Sequence, residues 1–258
     1  VRFKALRPEL WRALLTLAPP RDLAVIGAMA FRRERSWFDS KQTVRLRPLG
    51  GRSVVLRPRT SDARVVLDVF VGLFHVPPPA VSDPELIVDL GANIGLTVAH
   101  FAELFPRARV IGLEPEPEMA DIARSHVAPW GERCSILTAA AWSKDGELTL
   151  AKEAGQEFAA SVSASPADEG SLVVEAISLD TLLEDEDRVD YLKMDIEGAE
   201  GEVLSVGTTW AEKVRCINVE IHPPNTIESV SALLTDLGFE VSPVERHWAA
   251  VMGVRPGG

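Results

Sequence analysis

Apolar and polar positions fall into a regular alternation from residue 85 onward. Short apolar runs with strand character cover 86–89, 109–114, 135–141, 172–177, 189–195 and 214–221. Between or after them, segments 94–105, 118–127, 179–183, 199–206 and 226–237 are apolar along one helical face. In the first of these Ile94, Val98, Phe101 and Leu104 with Phe105 share that face, and Pro106 stops the helix. In the last, Ile227, Val230, Leu233, Leu234 and Leu237 do so, and Gly238 closes it. Asp145-Gly146 turns the chain into an extra strand over 147–151. Residues 152–170 are polar and without period, so they read as a loop, and 239–241 with 248–254 form a final strand pair. Strands alternating with helices in this way predict an α/β fold, a mostly parallel sheet with helices on both faces and a terminal β-hairpin.

The first 80 residues follow another pattern. Two short helices, 8–17 and 22–31, flank Pro19-Pro20-Arg21, and a hairpin over 43–47 and 53–56 turns at Pro48-Leu49-Gly50-Gly51. Asp62 is placed to cap a helix over 63–73, and Pro77-Pro78-Pro79 makes a stiff boundary. The expected organisation is an extension over 1–80 and a main domain over 81–258.

Composition narrows the class. At 46% hydrophobic and 25% charged residues the chain can bury a core, and no apolar run reaches the roughly 18–20 residues of a membrane span. The early apolar stretches are broken by Arg, Asp and Pro, unlike a secretory signal. Cys134 and Cys216 sit in strand-like runs and fit a reduced, buried pair in a cytoplasmic protein. The net charge of −11 is uneven: residues 1–65 hold 15 Lys and Arg against 5 Asp and Glu, the remainder 12 against 33. The simplest reading lays this basic arm on the acidic body. An anionic partner, peripheral membrane contact and a homo-oligomer contact through its helices are the alternatives.

The chemistry concentrates at three strand ends. Ile87-Val88-Asp89-Leu90-Gly91-Ala92-Asn93-Ile94-Gly95 reads as strand, tight turn and helix. Its order, Asp89-x-Gly91-x-x-x-Gly95, lacks the middle glycine that admits a dinucleotide pyrophosphate. The turn instead suits a smaller anionic or zwitterionic head at the helix N-terminus, with Asp89 for an ammonium group. Glu114 ends the second strand, 25 positions on, where an acid holds a ribose diol. Carboxylate, ammonium and ribose together describe S-adenosyl-L-methionine. The expected cofactor shell is Asp89, Gly91, Ala92, Asn93, Gly95, Glu114, Pro115, Ala141 and Asp195. The plainer alternative is that Gly91 and Gly95 only permit tight strand–helix packing.

Lys193-Met194-Asp195-Ile196-Glu197-Gly198-Ala199-Glu200 and Asn218-Val219-Glu220-Ile221-His222-Pro223-Pro224 end two later strands, adjacent in a parallel sheet. Lys193, Asp195 and Glu197 share an orientation if the strand runs that far. His222 is the expected base because its ordinary pKa lies near neutrality. Asp195 is expected to position the methyl donor or the acceptor, and Glu220, Lys193 and Glu197 complete the catalytic set. A rival arrangement puts a divalent cation on Asp195, Glu220 and His222; it lacks a dedicated motif and is not favoured. Glu197 and Glu200 have a plainer reading as partners of the next helix dipole.

Val88-Asp89-Leu90-Gly91-Ala92-Asn93-Ile94-Gly95, Leu113-Glu114-Pro115 and the Lys193–Glu200 block resemble the FkbM family of S-adenosylmethionine-dependent methyltransferases. So do Leu56-Arg57-Pro58, Thr60-Ser61-Asp62 and Ser178-Leu179-Asp180. The resemblance spans about residues 53–222. It implies a class I, Rossmann-like methyltransferase with a mostly parallel seven-stranded sheet. It also implies O-methylation of a small hydroxylated acceptor: a sugar, glycolipid or polyketide-type metabolite. Glu116 departs from the Asn or Ser that members often carry there, and residues 1–40 are not covered. The alternatives are an NAD(P)-dependent oxidoreductase, which the glycine order disfavours, and a non-catalytic scaffold that binds the same cofactor. A nucleic-acid acceptor is disfavoured by the acidic body and the lack of an Asn-Pro-Pro-Tyr-like motif. Acceptor contacts are expected from 57–75, 152–170 and the segment after Glu220.

Overall fold

The structure is a computed structural model that describes residues 8–31, 38–150, 171–245 and 247–257. The chain divides into two compact units, Val1–Phe74 and His75–Gly258. In the first, helices α1 (Pro8–Leu17) and α2 (Pro20–Phe31) precede an antiparallel hairpin of β1 (Gln42–Leu46) and β2 (Arg52–Leu56). Val44, Leu46, Val54 and Leu56 alternate onto its buried face. Asp62 does not act as a helix cap. It is fully buried and accepts from the Arg57 backbone N (2.7 Å), Nε (3.2 Å) and Nη2 (2.8 Å), folding the 57–62 loop onto itself. The helix there, α3 (Asp62–Leu67), therefore starts without a side-chain cap, and it continues into one wider turn at Asp68–Gly72.

The second unit is built on strands buried on both faces. Every residue of β3 (Leu86–Leu90) is buried, which only a strand covered above and below can achieve. From β3 the chain passes through α4 (Leu96–Leu104) to β4 (Arg109–Leu113), and through α5 (Pro117–Val127) to β5 (Cys134–Leu137). After β6 (Ala140–Trp142), β7 (Gly146–Leu150), β8 (Leu172–Ser178) and α6 (Leu179–Leu182) it returns to the other side of β3 as β9 (Tyr191–Met194). Then come α7 (Glu200–Ser205), β10 (Cys216–Glu220), α8 (Ile227–Asp236), β11 (Glu240–Pro243) and β12 (Ala250–Val254). The resulting seven-stranded sheet has the order β11-β12-β10-β9-β3-β4-β5, with only β12 antiparallel to its neighbours. The direction of winding reverses between β3 and β9, and in open α/β sheets ligands bind at such a point.

Two strands expected in this sheet are arranged differently. The run 135–141 breaks after Leu137. Its second half, β6, pairs with β8, and β6, β8 and β7 form a separate three-stranded sheet. The burial of β8 explains this: Val174, Ala176 and Ser178 are buried while Val173 and Glu175 are exposed. A strand covered on one face only suits a peripheral sheet and not the centre of a doubly covered one. The 152–170 loop lies outside the described residues. Thr226 caps α8 through the Ser229 N–H (3.1 Å). Burial pushes the free thiol of Cys216 up to about 12 and that of Cys134 up to about 11. No described helix is long and apolar enough to cross a membrane.

Gly112, mid-strand in β4, is needed for space. A Cβ there would lie 2.8 Å from Ile136 Cδ1, 2.9 Å from Val98 Cγ2 and 3.0 Å from Ala92 Cβ, because α4 approaches the sheet at this point. Gly112→Val is expected to cost about 1–3 kcal/mol by overpacking. In a thermal melt that appears as a Tm lower by several degrees; an unchanged Tm would refute the close approach of α4.

Candidate active site

At the switch point a pocket of about 900 Å³, open to solvent, lies at the carboxyl ends of β3, β4 and β9. Gly91, Asn93, Glu114, Pro115, Ala141 and Asp195, all named from the sequence, line it. Trp142, Leu148 and Leu150 supply an apolar wall from the small sheet. The sequence gives no sign of this wall, because Leu148 and Leu150 look like any strand residues until the small sheet folds beside the large one.

The glycine turn is built differently from the expectation. Gly91 has φ 84°, and a Cβ on it would lie 1.8 Å from the Asp195 carbonyl oxygen. Any side chain would therefore drive the ends of β3 and β9 apart, while the Asp195 N–H donates to Leu90 O (3.0 Å). Gly95 faces α5 instead, where a Cβ would meet Ala123 Cα at 2.9 Å. Neither Gly95 nor the buried Ala92 lines the pocket. The amides of the turn are already engaged. Gly91 N and Ala92 N donate to Leu113 O (3.0 and 2.7 Å), Asn93 N to Glu114 Oε2 (2.8 Å) and Ile94 N to Asn93 Oδ1 (2.7 Å). These donors fasten the turn to β4 and do not form an open cradle for an anion.

Asp89 also departs from its expected role. It is completely buried, does not line the pocket, and accepts from the Thr97 hydroxyl and from Lys193 Nζ (3.1 Å). Burial raises its pKa, opposed by Lys193 and Thr97. It anchors the strand end through these two partners. Glu114 is both buried and pocket-lining. Its Oε2 accepts from Asn93 N and its Oε1 from Glu116 N (3.0 Å), which fixes the carboxylate. Each oxygen of a carboxylate has two acceptor positions, so it can also receive a diol.

The second group of residues forms on the neighbouring strand ends. Parallel pairing sets Asn218 beside Lys193 and Val219 beside Met194, so Glu220 comes level with Asp195. Strand β9 stops at Met194, and Glu197 (φ 53°) and Gly198 (φ 107°) turn the chain left-handed. The orientation of Asp195 and Glu197 is thus set by the turn and not by strand alternation. His222 Nε2 lies 3.6 Å from Glu197 Oε2, 3.8 Å from Asp195 Oδ1 and 3.9 Å from Glu220 Oε1. Its Nδ1 is 2.9 Å from Glu200 Oε1. Glu200 is fully buried and also accepts from Gly198 N (3.1 Å) and Asn225 Nδ2 (2.8 Å). It opens α7, but its carboxylate is directed onto His222. His247 Nε2 approaches Glu220 Oε1 at 3.4 Å.

Charge in this cluster is partly offset by two cations, Lys193 and His222. Lys193 is buried, which disfavours an ammonium, but Asp89, Asp195 (3.3 Å) and Glu220 outweigh burial and raise its pKa. Burial likewise disfavours an imidazolium at His222. The Glu200 hydrogen bond and the Glu197 and Asp195 carboxylates reverse this and push it to about 9. Glu220 is pushed up to about 7 by burial and by Asp195, against the pull of Lys193 and His222. One donor atom each from Asp195, Glu220 and His222 lie within 4.8 Å of one another, a spacing that also suits a divalent cation.

Comparison with known proteins gives the lineage. Residues 89–241 match the Methyltransferase FkbM domain. Methyltransferase sdnD of Sordaria araneosa is 30% identical over 198 residues, covering 63% of this chain and 76% of that protein. Hexuronic acid methyltransferase AglP of Haloferax volcanii is 28% identical over 177 residues (67% and 72%). The 2-O-methyltransferase NoeI of Sinorhizobium fredii is 26% identical over 182 residues (64% and 72%). The nicotinamide reading is not favoured beside these matches. The matched segment holds the glycine turn, the Glu114 strand end and the Asp195–Glu220–His222 cluster on a class I, Rossmann-like sheet, and the chain belongs to the FkbM family of S-adenosyl-L-methionine-dependent methyltransferases.

Proposed function

We propose that the protein methylates a hydroxyl of a sugar-type acceptor held over the Asp195–Glu220–His222 cluster. The observation that carries this is the position of Asp195: it lines the cofactor pocket, and its Oδ1 faces His222. Cofactor and acceptor therefore have a common boundary at one carboxylate. AglP is named for a hexuronic acid, which supports a sugar-type acceptor, and NoeI for 2-O-methylation, which supports transfer to oxygen. S-adenosyl-L-methionine, when bound, supplies a methyl group already activated on a sulfonium. Glu114 is suited to hold its ribose, and Trp142, Leu148 and Leu150 to cover its adenine.

The protein must orient the hydroxyl and accept its proton, and orientation supplies much of the rate. An imidazole with a pKa of about 9 is already protonated near neutrality, which moves the role of base from His222 to Glu220. At about 7, Glu220 is near half-ionised at neutral pH, where a base combines availability with basicity. His222 then acts as an imidazolium held by Glu200, and its charge lets three carboxylates stand around one ring nitrogen. Lys193 stays an ammonium and holds Asp195 in place. A divalent cation on the same three residues is the second reading, favoured by their spacing. It would have to displace the proton from His222 Nε2.

Three outcomes are expected. Glu114→Gln weakens S-adenosylhomocysteine binding about tenfold to a hundredfold in calorimetry, for the loss of charge-assisted hydrogen bonds; full affinity would remove Glu114 from the ribose site. Activity falls as pH drops through about 7 because Glu220 takes up a proton. Glu220→Gln should lower kcat roughly a hundredfold or more and abolish that limb, and a limb that persists would point to another base. Dialysis against chelator should leave the rate unchanged; a loss restored by Mg²⁺ or Mn²⁺ would establish the cation reading instead.

A further inference from the structure

Trp248 is the most exposed of the described large apolar side chains, at 87%. An indole in water forgoes the burial that such a ring normally contributes. Its place in the chain is fixed by the catalytic cluster. It lies in the β11–β12 connection, where His247 N donates to Val244 O (3.0 Å) and Val244 N to Ala250 O (3.1 Å). The next residue, Ala249, accepts from Ile221 N (2.8 Å), and Ile221 stands between Glu220 and His222. The indole lies nearly parallel to the His247 ring, at 18° with centroids 6.4 Å apart, and His247 Nε2 is 3.4 Å from Glu220 Oε1. Indole, imidazole and carboxylate thus form one continuous row leading to the proposed base.

Resting on the reading of that cluster as the acceptor side, we propose that Trp248 is the platform of an acceptor subsite for a pyranose ring. The C–H face of the sugar lies on the indole, and its rim hydroxyls face His247 and Glu220. A pyranose has both surfaces that the row complements: an apolar ring face for the aromatic plane and hydroxyls at the edge for the polar groups. A phosphorylated ligand is opposed by the carboxylates of Glu220, Glu197 and Asp195 around His222. A wholly apolar acceptor finds no enclosure on a residue exposed to this degree. Aromatic rings suit such amphipathic partners because they offer a rigid face with little side-chain entropy to lose.

The test uses the full chain, labelled S-adenosyl-L-methionine and three probes: methyl β-D-glucopyranoside, methyl α-L-fucopyranoside and methyl β-D-glucopyranosiduronate. Trp248→Ala is expected to raise the KM of the methylated glycoside about tenfold or more. It should change kcat far less and leave S-adenosylhomocysteine affinity intact, while Trp248→Phe keeps most of the acceptor affinity. In the S-adenosylhomocysteine complex that glycoside should quench tryptophan emission in the wild type and not in Trp248→Phe. A wild-type KM in Trp248→Ala overturns the subsite. So does the absence of both transfer and quenching with all three glycosides. If a macrolactone polyol is then methylated, hydroxyl methylation stands and only the sugar platform falls. If no hydroxylated acceptor is methylated although S-adenosylhomocysteine binds, the function proposed above falls with it.

Discussion

The ammonium of Lys193, buried between Asp89 and Asp195, is the interaction on which the site depends. It joins β3 to β9 where the sheet reverses its winding, at the one place where the two strands must end together to leave a crevice. A charge in such a position is tolerable only because both carboxylates are within hydrogen-bond reach. Removing Lys193 would leave the buried Asp89 without its counter-ion, at a cost of about 3–5 kcal/mol. The contact between the Gly91 backbone and the Asp195 carbonyl belongs to the same junction. The strand ends are pinned by one ion triad and kept close by one missing side chain.

The same logic of compensation extends to His222. Three carboxylates converge on its Nε2 and a fourth, the buried Glu200, holds its Nδ1. Such a cluster requires positive charge, and the residues present supply it as an ammonium and an imidazolium. Even so one carboxylate stays reluctant to ionise: at Glu220 burial and the charge of Asp195 outweigh the pull of Lys193 and the His222 imidazolium. In the proposed mechanism acid and base roles therefore follow from the order in which neighbouring groups lose protons, more than from the ordinary pKa of any residue type. Such interacting groups titrate as a set, so Glu220 and His222 act as one unit.

The sequence was most legible where the pattern of burial is uniform. β3, β4 and β9 were visible because they are short, mainly apolar runs that end in a turn, and the capped α8 because its stripe and its closing Gly238 agree. Glu114 and Asp195 were legible as acids at the carboxyl ends of strands, where open α/β sheets bind ligands, and both line the pocket. Three expectations meet groups that the fold already engages. Asp62 as a cap, Asp89 as a ligand for ammonium and the turn amides as an anion cradle each assumed that a polar group with local opportunity stays free. In the folded chain those groups are used: Asp62 by Arg57, Asp89 by Lys193 and Thr97, and the amides by Leu113 and Glu114.

By itself the sequence determined the strand–helix alternation, the carboxyl ends that carry acids, and the family to which they belong. Those features are local, written in period and spacing. Only the tertiary structure decided which polar groups remain available to a ligand, because availability depends on partners distant in sequence. Lys193 meets Asp89 across 104 positions, and Glu200 meets His222 across 22. It also decided that the small sheet of β6, β8 and β7 walls the pocket and that the row from Trp248 through His247 ends at Glu220. Burial and charge are properties of the assembled neighbourhood, and the pKa order of Glu220 and His222 exists only once that neighbourhood has formed.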